Sequence, residues 1–124
     1  MNIKLLIGVM ILVLATCSIY NPTPRGSGIE GQVLIGPMCP VVQQGQACPD
    51  QPYPATLTVN SSNGIQITQF QADEQGRFKV PLAPGEYILH PESPNGLPFA
   101  GDQPFIIETG RYTQITVHYD SGIR

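Results

Sequence analysis

Short alternating runs closed by turn-forming residues constrain this chain more than any other feature. Ile29, Gly31, Val33 and Ile35 alternate with Glu30, Gln32 and Leu34 until Gly36-Pro37 stops the pattern. A period of two places one set of side chains on each face of a strand. Ala55, Leu57 and Val59 alternate in the same way with Thr56, Thr58 and Asn60. Ser61-Ser62-Asn63-Gly64 follows, and Asn-Gly tolerates the positive φ angles of a tight hairpin turn, so residues 65–70 are predicted to pair back as a third strand.

The same punctuation continues. Asp73-Glu74-Gln75-Gly76 turns the chain, after which Phe78, Val80 and Leu82 face one way and Arg77 and Lys79 the other. Ala83-Pro84-Gly85 makes a corner before a fifth strand at residues 86–90, with Tyr87 and Leu89 on one face. Residues 91–101 form a Pro/Gly loop, and Phe105-Ile106-Ile107 is a short apolar strand. In the last strand Thr113, Ile115, Val117 and Tyr119 oppose Tyr112, Gln114, Thr116 and His118. Thirteen Gly and thirteen Pro among 124 residues leave no room for long helices. The chain is therefore expected to be all-β, a single seven-stranded antiparallel β-sandwich with Greek-key connections over residues 29–120, ending in a tail at 121–124.

Residues 72–87 carry a resemblance. Asp73, Gly76, Phe78, Val80, Leu82, Pro84, Gly85 and Tyr87 fill every fixed position of D-x-x-G-x-F-x-V-x-L-x-P-G-x-Y. That pattern resembles the signature of carboxypeptidase regulatory-like domains, bacterial β-sandwiches with a prealbumin-like (transthyretin-like) fold. Gly31-x-Val33 and the stretch Gly110, Thr113, Ile115, Val117 also fit, so the resemblance spans residues 29–119. It implies that Gly76 turns a hairpin, that Phe78, Val80 and Leu82 fill the core, and that the Tyr87 hydroxyl returns to backbone at the corner. It implies an accessory role and names no activity.

The N-terminus reads as an address. Lys4 precedes an unbroken apolar run at residues 5–14, then the small residues Ala15 and Thr16, which is the plan of a secretory signal over residues 1–16. Leu14-Ala15-Thr16-Cys17 resembles the bacterial lipobox, implying that Cys17 is lipidated and becomes the first mature residue. Two other fates compete. Val13-Leu14-Ala15 also fits ordinary cleavage after Ala15, and an uncleaved anchor would need about 20 apolar residues. Residues 17–28, rich in Pro, Gly and Ser, read as the lipidated N-terminus and a tether. Three cysteines leave one over in an exported protein. Cys39 and Cys48, close in sequence and each flanked by proline, look like a disulfide pair, and lipidation accounts for Cys17.

Nothing in the sequence reads as an active site. The two histidines, His90 and His118, read as solvated strand residues, and no His/Cys spacing suits zinc. Asp73 and Glu74 could offer oxygens to calcium but read as solvated turn carboxylates, so no metal and no cofactor is expected. The basic residues are scattered singly and the net charge is −3, which argues against nucleic acid. The candidate interaction surface is the loop closed by Cys39 and Cys48, with Val41, Val42, Gln43 and Gln44 at its centre, because a closed loop loses less entropy on binding; the same loop also reads, and reads first, as a stapled cover for one open end of the sandwich. The expected function is a non-catalytic, exported, lipid-anchored cell-envelope protein acting as a binding or structural accessory. Its partner would be an envelope protein or a glycan, and the oligomeric state is left open. The alternatives are secretion without an anchor, a carbohydrate- or peptide-binding module, and a protease-inhibitor-like partner acting through the Cys39–Cys48 loop.

Overall fold

The structure, a computed structural model, describes residues 26–40 and 48–123. The signal segment, Cys17, most of the tether, and Val41, Val42, Gln43 and Gln44 lie outside the described residues. Strands run in the order β1 (Gly28–Gly36), β2 (Gln51–Pro52), β3 (Thr56–Ser61), β4 (Gln66–Gln71), β5 (Arg77–Pro81), β6 (Gly85–Pro91), β7 (Gln103–Ile107) and β8 (Tyr112–Asp120). The seven expected strands are all present, and the all-β sandwich read from the sequence is the fold. The addition is β2, two residues in the proline-rich stretch after Cys48, where alternation gives no signal.

Two sheets face each other. In the first, β1 is central: β8 runs parallel to it from Gly28↔Tyr112 to Gly36↔Asp120. Its other side is shared by β5, from Gly28↔Pro81 to Gln32↔Arg77, and then by β2 at Leu34↔Pro52 and Ile35↔Gln51. The second sheet is antiparallel throughout, ordered β4-β3-β6-β7. Among the described residues the β1–β8 pairing is the one parallel ladder, and it joins the first strand to the last.

In β1, β3, β5, β6 and β8 the apolar face read from the alternation is the one that contributes to the core. Ile29, Val33, Leu57, Val59, Leu89 and Tyr119 have no exposed surface. Phe78, Leu82, Phe105, Ile107, Ile115 and Val117 complete the cluster. Burying a large aliphatic or aromatic side chain stabilises by about 1.5–3 kcal/mol, so the alternation alone fixes which face of each strand turns inward. The sheets also meet through Phe70 and Phe78, whose rings lie 5.3 Å apart, and on the first-sheet side Tyr53, just after β2, packs edge-on against Tyr119 of β8 at 4.9 Å. In the second sheet Tyr87 stacks on Phe105 at 5.5 Å.

Two local devices hold the frame. At Gly31 a Cβ would lie 1.6 Å from the Ile115 carbonyl oxygen, so only glycine lets β8 approach β1 this closely. At the corner after β5 the Tyr87 hydroxyl donates to the Ala83 carbonyl at 2.6 Å, the return to backbone that the signature implies. Ser27 and Gly28, assigned by composition to the tether, belong to the frame: Ser27 donates its hydroxyl to Leu82 O and accepts from Leu82 N, and Gly28 begins β1.

Candidate interaction surface

β1 ends at Gly36, and the described residues on either side of the Cys39–Cys48 bridge are fastened to neighbouring segments. Cys39 and Cys48 are bonded, with their Cα atoms 6.1 Å apart. Outside that bridge both arms of the loop are held. On the leading arm, Ser121 donates its amide to Gly36 O at 3.0 Å and its hydroxyl to Pro37 O. On the returning arm, Asp50 Oδ2 meets His118 Nε2 at 2.7 Å. The Asp50 carboxylate also lies against Gly36, where a Cβ would fall 1.8 Å from Oδ1. β2 then pairs with Leu34 and Ile35, and Tyr53 N donates to Val33 O at 3.0 Å. The residues between the two cysteines are thus carried on a fixed base.

Two other segments gather at this end. The chain after β8 turns on itself, with Gly122 N donating to Asp120 Oδ1. Phe99 and Asp120 exchange backbone hydrogen bonds at 3.0 and 2.7 Å. Leu97 comes into contact range of Gly122, where its Cδ1 would sit 2.6 Å from an added Cβ. Met38, Leu97 and Phe99 are exposed by 37, 54 and 54% respectively. Large apolar side chains left in water around one loop mark a recognition surface more often than scattered ones do. Leu97 and Phe99 are legible in the sequence only as members of a Pro/Gly loop; the β8 tail, which bonds both Phe99 and the Gly36-Pro37 segment before Met38, brings the two segments to one end.

Both histidines have carboxylate partners. His118 holds Asp50, as above, and both side chains remain partly in solvent. His90 Nδ1 lies 2.6 Å from Asp102 Oδ1, and its Nε2 faces Glu92 Oε2 at 3.7 Å. Thr58 donates to Glu92 Oε2 at 2.6 Å and accepts from Gln69 Nε2 at 3.0 Å. This row crosses the outer face of the second sheet near the same end of the sandwich. The Nε2 atoms of both histidines face carboxylates, so neither is aimed at a hydroxyl or thiol as a base activating a nucleophile would be. Asp73, the candidate calcium ligand, uses Oδ1 to accept the amides of Gln75 and Arg77 and so caps its own turn. Among the described residues no group of three His, Cys, Asp or Glu side chains is placed to hold a metal.

Tyr119 joins the surface to the core. It is fully buried, and its hydroxyl donates to Glu92 O at 2.8 Å. Burial pushes its hydroxyl pKa well above the ordinary tyrosine value, with smaller contributions from Tyr53 and Glu92.

No protein-family model matches the chain, and no curated protein matches it in sequence. Solved structures do share its fold. A domain of GBS52, the minor pilin of the Gram-positive pathogen Streptococcus agalactiae, superposes with a TM-score of 0.58 at 13% identity, covering 82% of this chain and 46% of that one. The Bacillus anthracis TIE protein gives a TM-score of 0.51 at 20% identity, covering 77% of this chain and 18% of that one. This chain therefore spans less than half the length of either protein, and the likeness establishes the β-sandwich fold.

Proposed function

We propose that this chain is an exported cell-surface protein, held to a membrane through a lipidated Cys17. Its non-catalytic β-sandwich, of the carboxypeptidase regulatory-like kind, displays a recognition surface at the end facing away from the anchor. The observation that carries this reading is the course of β1. The chain enters the sandwich at Gly28 and reaches the loop base at Gly36 after one full strand, a separation of roughly 25 Å at the usual rise per residue. β8 runs parallel beside it and delivers the tail to the same distal end. A tether attached at Gly28 would therefore leave Met38, Leu97, Phe99 and the disulfide loop pointing outward.

Export is supported by the Cys39–Cys48 bond, since disulfides persist in oxidising compartments. The partner that suits exposed apolar side chains beside a closed loop is another envelope protein. Globomycin sensitivity and the acyl mass of the Cys17 peptide test the anchor; an unacylated mature terminus at Thr16 would remove it. A second reading, a carbohydrate- or peptide-binding module, is favoured by the row of Gln69, Thr58, His90 and Glu92 at the same end. A glycan array without hits would remove its carbohydrate arm.

A further inference from the structure

The open edges of the two sheets differ in chemistry. β5 carries Arg77, Lys79 and Pro81, β2 ends in Pro52, and β7 contains Pro104. Charges and prolines are the usual means by which an edge strand refuses another strand. The free side of β8 is met by Ile106, whose carbonyl accepts from Thr113 Oγ1 at 3.0 Å, and by Phe99 at Asp120. β4 has neither protection: from Gly64 to Ala72 there is no charged residue and no proline. Ile65 and Ile67 are exposed by 61 and 48%.

The backbone of β4 is presented for pairing. Ala72 N donates to Ala55 O at 2.9 Å, and Phe70 lies opposite Leu57 and Thr68 opposite Val59. Alternation along an antiparallel ladder then turns the amides and carbonyls of Gln69 and Gln71 away from β3. Their side chains do not cover this edge, because Gln69 Nε2 donates to Thr58 Oγ1 and Gln71 Nε2 to Pro54 O, both inward of the strand. Among the described residues no strand pairs with this side of β4.

We propose that β4 is a homodimerisation edge, pairing antiparallel with β4 of a second copy of this chain around a two-fold axis at Gln69. A second copy is the occupant that the strand's chemistry selects. Two-fold pairing sets each residue against its own kind or a near neighbour, which penalises charged strands and leaves an amide and β-branched strand unpenalised. Gln69 faces Gln69, Ile67 faces Gln71, and the two second sheets join into one continuous sheet. The register break between Val59 and Asn60 falls beside Ile67 and bounds the pairing at that end. The dimer needs neither the anchor nor the distal surface, so it stands or falls apart from the proposed function.

Cysteine cross-linking of the full chain tests it. Hydrogen-bonded antiparallel partners have Cα atoms about 5.5 Å apart, within disulfide range. Gln69→Cys is expected to give at least ~10-fold more disulfide-linked dimer than either the unmodified chain or Thr109→Cys on an exposed turn. Adding Gln71→Pro removes an outward amide without touching the β3 ladder and is expected to return the yield to the Thr109→Cys level; Gln71→Lys replaces it if that variant does not accumulate. Equal yields from Gln69→Cys and Thr109→Cys would overturn the proposal. So would cross-linking that survives both the Gln71→Pro and the Gln71→Lys change, since chance encounter or a different pairing would then explain it.

Discussion

The Tyr87 hydroxyl donates to the Ala83 carbonyl at 2.6 Å, across the Pro84-Gly85 turn that joins the two sheets. The same ring stacks on Phe105. Tyr87→Phe keeps the stacking and loses one hydrogen bond, so it is expected to cost about 0.5–1.5 kcal/mol in urea unfolding. Tyr87→Ala also loses the half-buried ring and is expected to cost about 2–3 kcal/mol. Similar losses for the two variants would show that the bond alone matters at this corner.

Two glycines are expected to respond differently to alanine. Gly31→Ala puts a Cβ within 1.6 Å of Ile115 O in the β1–β8 ladder, where backbone on both sides must separate. The expected loss is ~3 kcal/mol or more. Gly64 has a φ of 90° and nothing near its Cβ position, so Gly64→Ala meets only backbone strain, about 1 kcal/mol. Unfolding midpoints of the two variants measure the difference.

The fold was legible in the sequence because period-two alternation fixes faces. Phe78, Leu82, Leu89, Ile115, Val117 and Tyr119 all point inward as their spacing requires. Alternation says nothing of neighbours, and so the parallel placement of β8 beside β1 was out of reach. For the same reason the histidines read as solvated: their partners Asp102 and Asp50 come from loops, and only the folded sheets bring them together. Leu97 and Phe99 lie in a stretch without periodicity, and their placement near the end of β1 depends on contacts with residues 120–122. Ser27 looked like tether because composition cannot register its bonds to Leu82.

Tyr119 is expected to set the alkaline limit of stability. Its folded-state pKa is raised by burial, so the protonated hydroxyl contributes stability that is fully present below the unfolded value of about 10. That contribution is lost as pH rises above the unfolded value towards the folded one. Unfolding free energy is expected to fall from about pH 10 upward in the unmodified chain, and to fall less steeply in Tyr119→Phe. Near neutral pH the variant is expected to lose about 1 kcal/mol with its bond to Glu92 O. Parallel pH profiles would show that another group governs the alkaline limb.

The loop base is expected to divide its stability unequally. Cys39→Ser with Cys48→Ser opens a ten-residue loop and should lower stability by about 2–3 kcal/mol on the chain-entropy account. His118→Ala breaks a partly exposed pair with Asp50 and should cost no more than ~1 kcal/mol. Denaturant midpoints read both. A His118→Ala loss as large as that of the double serine variant would make the His118–Asp50 contact the main fastening.

Proximity labelling from the exported protein tests the distal recognition surface most directly. Leu97→Asp with Phe99→Asp places charge on two exposed side chains at that end, and Ile106→Asp does the same on the outer face of the second sheet. The double variant is expected to lose the envelope proteins labelled by the unmodified chain, while Ile106→Asp keeps them. An unchanged labelled set in the double variant, with the sandwich intact by circular dichroism, would contradict a recognition surface at the end of β1.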